Sequence, residues 1–312
     1  MNHPTILLDC DPGHDDAIAL LLAGVKTNLI GVTVVSGNVS IERTTRNALV
    51  TCQLLGIDVP VYPGALGPLT AKPRPAEFIH GASGLDGPQL PTLQKKPERK
   101  PAAQFIIEAS NEYSDLWLVA TGPLTNVALG IQRDPDLANR ISGIALMGGS
   151  STFGNVTATS EFNILFDPEA ADIVFRSGAK ILMAGLNLTH QFLINQGHIQ
   201  HIRSLGSTVS MFVSDLLQFY IASYAREYSG RLEGPLHDPL AVLALTDPDL
   251  FKYSSHHATI ELQGKYTRGM TVIDTRQTNK TLDTNIDLLT TIDSDGAFDV
   301  IYEAIRTYGG LS

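Results

Sequence analysis

The sequence predicts an α/β fold in which helices cover both faces of a mostly parallel sheet. Short apolar or β-branched runs alternate with amphipathic helical stretches in βαβα order. The strand runs are apolar almost throughout, as expected for parallel strands that are buried on both faces. The chain of 312 residues shows no internal repeat, low-complexity tract or linker, so we expect residues 1–312 to form a single domain.

The first elements follow in order from the N-terminus. A strand and a helix are predicted over residues 5–9 and 15–23, and a second pair over residues 29–36 and 41–55. Residues 62–101 are rich in Pro, Gly and Lys and have no steady period. We expect them to form a long surface excursion, and long loops in compact domains are often functional.

The alternation continues through the rest of the chain. Strands are predicted over residues 116–120, 143–147 and 180–186, helices over 124–132 and 168–176, a helical and aromatic region over 198–231, strands over 258–262 and 270–274, and a final helix over 297–308.

The composition limits the function classes. Thirty-two acidic against 22 basic residues give a net charge of -10, which disfavours nucleic-acid and anionic-membrane partners because both select clustered Lys and Arg. A cation or a neutral ligand is favoured instead. The longest apolar stretch is too short for a bilayer span, and the N-terminus lacks the features of a signal peptide. With Cys10 and Cys52 as the two cysteines, we expect reduced thiols and a cytoplasmic location.

Four of the acidic residues fall between positions 9 and 16. Asp9 and Asp11 project to the same side at the end of the first strand, and Asp15 and Asp16 open the following helix. Carboxylates this close repel one another, so we infer a hard cation with oxygen ligands, Ca²⁺ or Mg²⁺. An EF-hand is excluded because its twelfth position is Leu20. The alternative is that Asp15 only caps the helix and the others are solvated.

A polar segment, GNVTATSEFNI, follows the apolar strand predicted at 143–147. Its Asn155, Glu161 and Asn163 offer the paired donors and acceptors that suit the vicinal hydroxyls of a sugar, with Phe162 between them. Self-capping turns are an equally good explanation. Asn38, after another strand, could supply a further amide to the same rim.

His237 precedes Asp238-Pro239 and an apolar helical stretch. Asp-Pro is a strong helix-start signal, so capping explains most such pairs in this chain. The adjacent His237 is a candidate general acid because its ordinary pKa lies near neutrality, although a lone His is more often structural.

Aromatic residues and one further His are weaker candidates. Tyr220, Tyr224 and Tyr228 lie on one helical stripe, which indicates either core packing or an aromatic wall for a planar ligand. His80, within IHGASG, is either a ligand contact on a mobile loop or a turn residue.

Together, a set of motifs in order along the chain resembles the inosine-uridine nucleoside hydrolase family. They are LLDCDPGHDDAIAL, VSGNVS, IHGASGLDGP, TGPLTNVAL, LMGGS, GNVTATSEFNILFDPEAA and LHDP. The resemblance implies a single α/β domain with a Rossmann-like sheet and a site at the C-terminal strand ends. It also implies one Ca²⁺ per subunit, a homodimer or homotetramer, and hydrolysis of the N-glycosidic bond of ribonucleosides, in nucleoside catabolism and pyrimidine salvage.

The resemblance also implies residue roles. The calcium ligands would be Asp11, Asp16, the backbone carbonyl of Thr121, and Asp238, with Asp11 also the general base. His237 would assist departure of the nucleobase, and Asp9 would orient the other acids. The substrate contacts would be Asp15, Asn38, His80, Met147, Asn155, Glu161, Phe162 and Asn163, and more loosely Tyr224 and Tyr228.

Two positions depart from the family pattern. Ala82 stands where Glu is common, and Asn187 where Asp is common. These departures bear on substrate range and rate. HGASGLDGP and LQGKYTRGMTV resemble the pyrimidine-preferring bacterial branch, whereas SGNVSIERTTRNAL also resembles broad-range members, so we expect a pyrimidine preference that does not exclude purines.

Two other functions fit part of the pattern. A haloacid-dehalogenase-like phosphatase also begins with a strand that ends in Asp-x-Asp, but it needs a phosphate-binding Lys, and the middle of this chain is poor in Lys. A calcium-dependent sugar-binding protein without catalysis would need no acid and base on either side of the sugar.

Overall fold

The structure is a computed structural model that describes residues 3–72, 77–276 and 283–310. Its strands are β1 (Thr5–Cys10), β2 (Asn28–Val34), β3 (Val61–Pro63), β4 (Trp117–Ala120), β5 (Gly143–Met147), β6 (Ile181–Ala184), β7 (Leu193–Asn195), β8 (Glu233–Pro235), β9 (Phe251–Ile260), β10 (Thr271–Asp274) and β11 (Ile286–Ile292). Nine of them form one sheet in the order β10-β9-β11-β6-β5-β4-β1-β2-β3, and β7 pairs with β8 separately.

Helices connect and cover these strands. They are α1 (His14–Lys26), α2 (Ile41–Leu55), α3 (Glu77–His80), α4 (Ala102–Glu112), α5 (Thr125–Arg133), α6 (Leu137–Arg140), α7 (Phe162–Phe166), α8 (Pro168–Phe175), α9 (Leu186–Thr189), α10 (Gln196–Ser204), α11 (Thr208–Tyr224), α12 (Pro239–Thr246) and α13 (Ser294–Tyr308). A π-helical turn, Ala225–Ser229, extends α11. Among the described residues, no helix combines the length and apolarity that a membrane span requires.

The predicted single-domain α/β fold is confirmed. Every neighbouring pair from β3 to β11 in the sheet order is parallel, and β9 and β10 continue the sheet with antiparallel pairing. Apolar cores lie on its two faces. Ile6, Leu8 and Cys10 of β1 pack into one core and Leu7 into the other, following the alternation of a strand.

The C-terminal part of the sheet differs most from the sequence prediction. β9 begins at Phe251, seven residues before the predicted strand, and β11 was not predicted. Both carry polar residues that are only partly buried, so the apolar signal of a strand is weak there. The strand predicted over 180–186 ends at Ala184, because the chain turns at Gly185 into α9.

Candidate active site

The predicted site residues meet in one cavity at the carboxyl ends of β1, β4 and β5. Together with its open mouth, the cavity holds about 530 Å³ of space that no atom occupies. Asp16 lies behind its wall, and Ile79, Val156 and Tyr220 add to the lining. The residues that line it are Asp11, Asp15, Asn38, Ile79, His80, Thr121, Met147, Asn155, Val156, Glu161, Phe162, Asn163, Tyr220, Tyr224, Tyr228, His237 and Asp238.

Three buried carboxylates converge at the floor of the cavity. Oxygens of Asp15, Asp16 and Asp238 lie within 4.8 Å of one another. Burial, followed by repulsion from Asp16, raises the pKa of Asp15 to about 7 and holds the pKa of Asp11 well above its ordinary value. Burial and the neighbouring acids also raise the pKa of Asp238. Ionised carboxylates that are buried close together need a compensating positive charge. A site with only oxygen donors suits a hard divalent cation.

Two capping explanations from the sequence are decided by the helix ends. The residue that caps α1 is Gly13, so Asp15 lies inside the first turn and is not the cap. At α12, the Asp238 side chain makes no cap hydrogen bond and joins the acidic cluster instead. Asp167, by contrast, accepts from the backbone N–H of Ala170 and is a true cap. The Asp-Pro pairs of this chain therefore differ in what their side chains do.

Hydrogen bonds orient the carboxylates of Asp11 and Asp16. Asp11 Oδ2 accepts from the Asn38 backbone N–H at 2.6 Å. Asp16 Oδ2 accepts from the Gly13 N–H at 2.9 Å, and its Oδ1 accepts from the Thr121 hydroxyl at 2.8 Å. The Thr121 carbonyl, predicted as a calcium ligand, accepts from Asn163 Nδ2 at 2.8 Å. Three amide side chains, Asn38, Asn155 and Asn163, form an amide rim around the cavity. Thr121 thus contacts both Asp16 of the acidic cluster and Asn163 of the amide rim.

Asp9 lies beneath the cluster and is fully buried. Its Oδ1 accepts from the Thr33 hydroxyl at 2.7 Å and from Asn126 Nδ2 at 2.8 Å. Its Oδ2 has no partner among the described residues, and burial raises its pKa to about 7. Asn126 also donates to the Val34 carbonyl. Asn126 could not be identified individually from the sequence, although it lies within the TGPLTNVAL motif.

The polar segment both caps a helix and lines the cavity. Glu161 is the N-cap of α7, and its carboxylate accepts from the backbone N–H groups of Asn163, Ile164 and Gly149. Burial raises its pKa. Asn155 Oδ1 accepts from the Phe162 N–H at 3.0 Å. The capping and ligand-binding interpretations are therefore compatible, because the same side chains satisfy local donors and face the cavity.

His237 makes a hydrogen bond through each ring nitrogen. Nδ1 lies 2.7 Å from the Thr189 hydroxyl oxygen, and Nε2 lies 2.9 Å from the Tyr224 hydroxyl oxygen. Burial lowers the pKa of His237 to about 3, so the ring is neutral at pH 7. His237 therefore does not act as a charged imidazolium. A proton given to the nucleobase must come from the neutral imidazole or from its hydrogen-bond partner Tyr224.

The tyrosine stripe divides between core and cavity. Tyr220 and Tyr224 are buried in the core and also line the cavity, whereas Tyr228 is 50% exposed at its edge. The Tyr220 hydroxyl donates to the Pro235 carbonyl at 2.7 Å. The stripe therefore packs the core and forms part of an aromatic wall.

A pair of imidazoles, His14 and His80, holds the segment that carries His80. His14 Nε2 lies 2.9 Å from the Asp86 carbonyl oxygen, so this nitrogen carries a proton, because a carbonyl only accepts. His14 Nδ1 lies 3.1 Å from His80 Nδ1, and the His14 ring stacks on Phe219. Asn47 Nδ2 also donates to the Pro12 and Ser83 carbonyls. His14 and Asn47 were missed, although His14 lies within the first motif.

The two departures from the family pattern lie outside the cavity lining. Ala82 is exposed, and its N–H donates to Asp86 Oδ2 at 3.1 Å. Asn187 Nδ2 donates to the Leu289 carbonyl at 3.0 Å.

The comparison with known families decides the identity. The sequence model described as "Inosine-uridine preferring nucleoside hydrolase" matches residues 6–299. The chain belongs to this family. It is an enzyme, a glycosidase that acts on N-glycosyl compounds, and the haloacid-dehalogenase alternative is wrong.

Similar proteins match this nucleoside hydrolase along nearly its full length. "Pyrimidine-specific ribonucleoside hydrolase RihA" of Enterobacter sp. (strain 638) is 42% identical and covers 97% of this chain and 98% of its own. The protein of the same name from Salmonella typhimurium (strain LT2) is 40% identical with the same coverage. The solved "Purine-Preferring Ribonucleoside Hydrolase from Gardnerella vaginalis" superposes with a TM-score of 0.92 at 34% identity, covering 99% of this chain and 100% of its own.

Proposed function

We propose that this nucleoside hydrolase cleaves ribonucleosides to ribose and free nucleobase, with pyrimidine nucleosides preferred. One observation carries the proposal: a single cavity brings buried carboxylates, an amide rim and the His237–Tyr224 pair together. An acidic floor suits the positive charge that develops on ribose as the glycosidic bond breaks.

We propose Ca²⁺ as the resident cation of the acidic cluster. The proposed ligands are Asp11, Asp16, the Thr121 backbone carbonyl and Asp238. Oxygens of Asp16 and Asp238 lie within 4.8 Å of each other and of Asp15, and Asp11 and Thr121 line the cavity beside them. Donors of this kind fit Ca²⁺, and the burial and mutual repulsion that raise the pKa of Asp11 and Asp15 support a compensating positive charge at this point. Calcium bound there would supply Lewis acidity, lowering the pKa of the attacking water and aligning the ribose hydroxyls.

Asp11 is the proposed general base. Its Oδ2 is held by the Asn38 N–H, which leaves Oδ1 to accept a proton from water in the cavity. Asp15, Asn38, Asn155, Glu161 and Asn163 are the proposed ribose contacts, with Met147 and Phe162 beside them and His80 above. Asp9, which Thr33 and Asn126 hold in place, is proposed to orient the other acids.

The His237–Tyr224 pair is proposed to assist departure of the base. When the C1′–N bond breaks, its electron pair moves to the nucleobase, which leaves readily only if it is protonated or hydrogen-bonded. Tyr224 and His237 both line the cavity and are hydrogen-bonded to each other. Tyr228 extends the aromatic wall on the solvent side.

Two relatives support the pyrimidine preference. They are 42% and 40% identical to this chain, and both are named as pyrimidine-specific enzymes. The purine-preferring structure is less similar, at 34% identity. Initial rates on uridine, cytidine, inosine and adenosine test the proposal. We expect the highest kcat/KM on uridine or cytidine. A higher kcat/KM on inosine or adenosine would overturn the preference and leave the hydrolysis intact.

We further propose that the enzyme works in the cytoplasm as a homodimer or homotetramer. The family resemblance supports the assembly, and the two free, buried cysteines suit a reducing compartment. Light scattering coupled to size exclusion would give the mass of the assembly in solution, and a monomer would contradict it.

A further inference from the structure

We infer that Thr189 is a positioning residue that fixes the tautomer of His237 and thereby makes the Tyr224 hydroxyl the proton donor to the departing base. The inference rests on the proposed role of the His237–Tyr224 pair and extends it to a residue outside the cavity lining. Thr189 is the last residue of α9 and is fully buried.

The Thr189 hydroxyl has one partner. In the part of the chain that the structure describes, its Oγ1 makes a hydrogen bond only with His237 Nδ1, at 2.7 Å. A buried hydroxyl proton without an acceptor is unfavourable, and Nδ1 is the one acceptor within reach. Thr189 therefore donates, and His237 Nδ1 must be unprotonated.

That direction determines the rest of the chain of hydrogen bonds. A neutral imidazole carries one N–H, so the proton of His237 lies on Nε2. Nε2 then donates to the Tyr224 oxygen, 2.9 Å away, and the phenol proton of Tyr224 is free for an acceptor in the cavity. In the other tautomer, His237 Nδ1 would carry the proton and Nε2 would accept from the Tyr224 hydroxyl. The Thr189 hydroxyl proton would then have no acceptor among the described residues.

Backbone hydrogen bonds hold both ends of the Thr189–His237 contact. The Thr189 N–H donates to the Gly185 carbonyl, and its own carbonyl accepts from the Phe192 N–H, each at 3.0 Å. Phe192 in turn accepts from the Leu236 N–H at 3.0 Å, and the His237 N–H donates to Asp15 Oδ2 at 3.3 Å. The hydroxyl and the imidazole thus face each other from two segments that are tied together.

The proposed step balances without another reagent. The C1′–N electron pair passes to the base, which takes the Tyr224 proton, and the His237 Nε2–H stabilises the negative charge left on the phenol oxygen. The water oxygen bonds to C1′ and gives a proton to Asp11. After the products leave, that proton returns to Tyr224 through solvent. Thr189 exchanges no proton and acts only through His237.

Thr189→Val and Thr189→Ser separate the hydroxyl from the shape of the side chain. Valine keeps the volume and removes the donor, whereas serine keeps the donor. Thr51→Val is the matched control, because the Thr51 hydroxyl is buried without a partner among the described residues. The substrates are uridine and p-nitrophenyl riboside, whose leaving group needs no proton.

We expect Thr189→Val to lower kcat on uridine by about 10- to 100-fold. Losing the partner that orients a metal-ligating imidazole typically costs this much in activity, and His237 depends on Thr189 in the same way without binding the metal. KM should change little, p-nitrophenyl riboside should be cleaved nearly as fast as by the wild type, and Thr189→Ser and Thr51→Val should retain activity. Equal losses on both substrates, an unimpaired Thr189→Val, or an inactive but folded Thr189→Ser would overturn the inference.

Nitrogen-15 NMR of the wild-type protein with labelled histidine gives a second measurement. The His237 signals, assigned by their loss in His237→Gln, should show a protonated Nε2 and an unprotonated Nδ1. A protonated Nδ1 would overturn the inference. If the wild type released no ribose, the proposed function would fail, whereas the tautomer measurement would still decide the hydrogen-bond order.

Discussion

At the scale of single residues, Asp9 and Asp11 show how position along one strand divides two acids between roles. Asp9 lies in β1, and Asp11 directly follows that strand. Asp9 is enclosed by Thr33 and Asn126, whereas Asp11 lines the cavity and accepts from the Asn38 N–H. Asp9 therefore has a supporting position, and Asp11, although buried, faces the cavity that water can enter. The sequence predicted this division only through the family resemblance.

Replacing Asp11 tests the general base. Asp11→Asn keeps the shape and the hydrogen bond from Asn38 but cannot accept the water proton, so we expect kcat on uridine to fall by at least about 10²-fold while much of the binding remains. Asp11→Ala should abolish turnover. Steady-state kinetics and isothermal titration with uridine measure the two effects. An Asp11→Asn variant with wild-type kcat would assign the base elsewhere.

Replacing His237 tests the assistance to the leaving base. His237→Ala should slow uridine by about 10²- to 10⁴-fold, the usual contribution of general acid catalysis. It should slow p-nitrophenyl riboside far less, because that leaving group departs as a stable anion. Comparing kcat/KM on the two substrates measures the difference, and equal losses would show that His237 acts on binding or folding.

Some site residues could not be identified individually from the sequence. Asn126 and His14 lie within conspicuous motifs, but their partners are 117 and 66 positions away, and Thr189 meets His237 across 48 positions. A polar residue next to an apolar run looks like any cap or turn residue until the fold supplies its partner. The acids between positions 9 and 16 were predictable as a cluster because they lie close together in the sequence, whereas Asp238 was assigned to the cluster only through the family resemblance.

At the scale of elements, short helices lie at the cavity and behind it. α7 contributes Phe162 and Asn163 to the lining, and α9 places Thr189 against His237. α7 spans five residues and α9 four, so neither is stable through its own backbone hydrogen bonds. Caps and long-range contacts hold them, and Glu161 provides both for α7.

The sequence predicted the long buried strands and amphipathic helices well, because burial sets the spacing of their apolar residues. It predicted only the last three residues of β9 and missed β11, because that signal is weak in partly exposed strands.

The N-cap of α8 tests this dependence on caps. Asp167 accepts from the Ala170 N–H, the Thr125 hydroxyl and the Leu69 N–H. Asp167→Ala leaves these donors unpaired, so we expect the free energy of unfolding to fall by about 2 to 4 kcal/mol. Denaturant unfolding measures it, with Asp167→Asn as the control that keeps an acceptor. A loss below about 0.5 kcal/mol, typical of surface substitutions, would show that the cap is dispensable.

At the scale of the whole molecule, the net charge of -10 has a partial local origin. Asp9, Asp11, Asp16, Glu161 and Asp238 are buried around one crevice. A divalent cation would offset two of these charges, and a cationic transition state would meet others. The rest of the excess comes from acidic residues outside this crevice.

Stability should couple calcium to pH. Because burial raises the pKa of Asp15 from 3.8 to about 7, its contribution to the stability of the metal-free protein is present at low pH and lost as the pH rises through about 7. Bound Ca²⁺ removes that loss. We therefore expect the increase in Tm caused by Ca²⁺ to be small at pH 5 and to grow as the pH rises through 7.

The difference between Tm curves with Ca²⁺ and with chelator is the quantity to measure. His14 and His237, whose pKa values are lowered by burial, act in the opposite direction, gaining stability as the pH rises, but they affect both curves alike. Asp238→Asn is the control and should shrink the gap at pH 8. A Tm difference between calcium and chelator that widened towards pH 5 would contradict the proposed coupling of calcium binding to pH.

The ratio of the two products formed from uridine shows whether this enzyme hydrolyses the N-glycosidic bond. In phosphate-free buffer with Ca²⁺, the purified wild-type protein should release uracil and reducing sugar in equal amounts, and Asp11→Ala should release neither. Uridine that binds without release of reducing sugar, or uracil release that requires added phosphate, would contradict hydrolysis of the N-glycosidic bond by this enzyme.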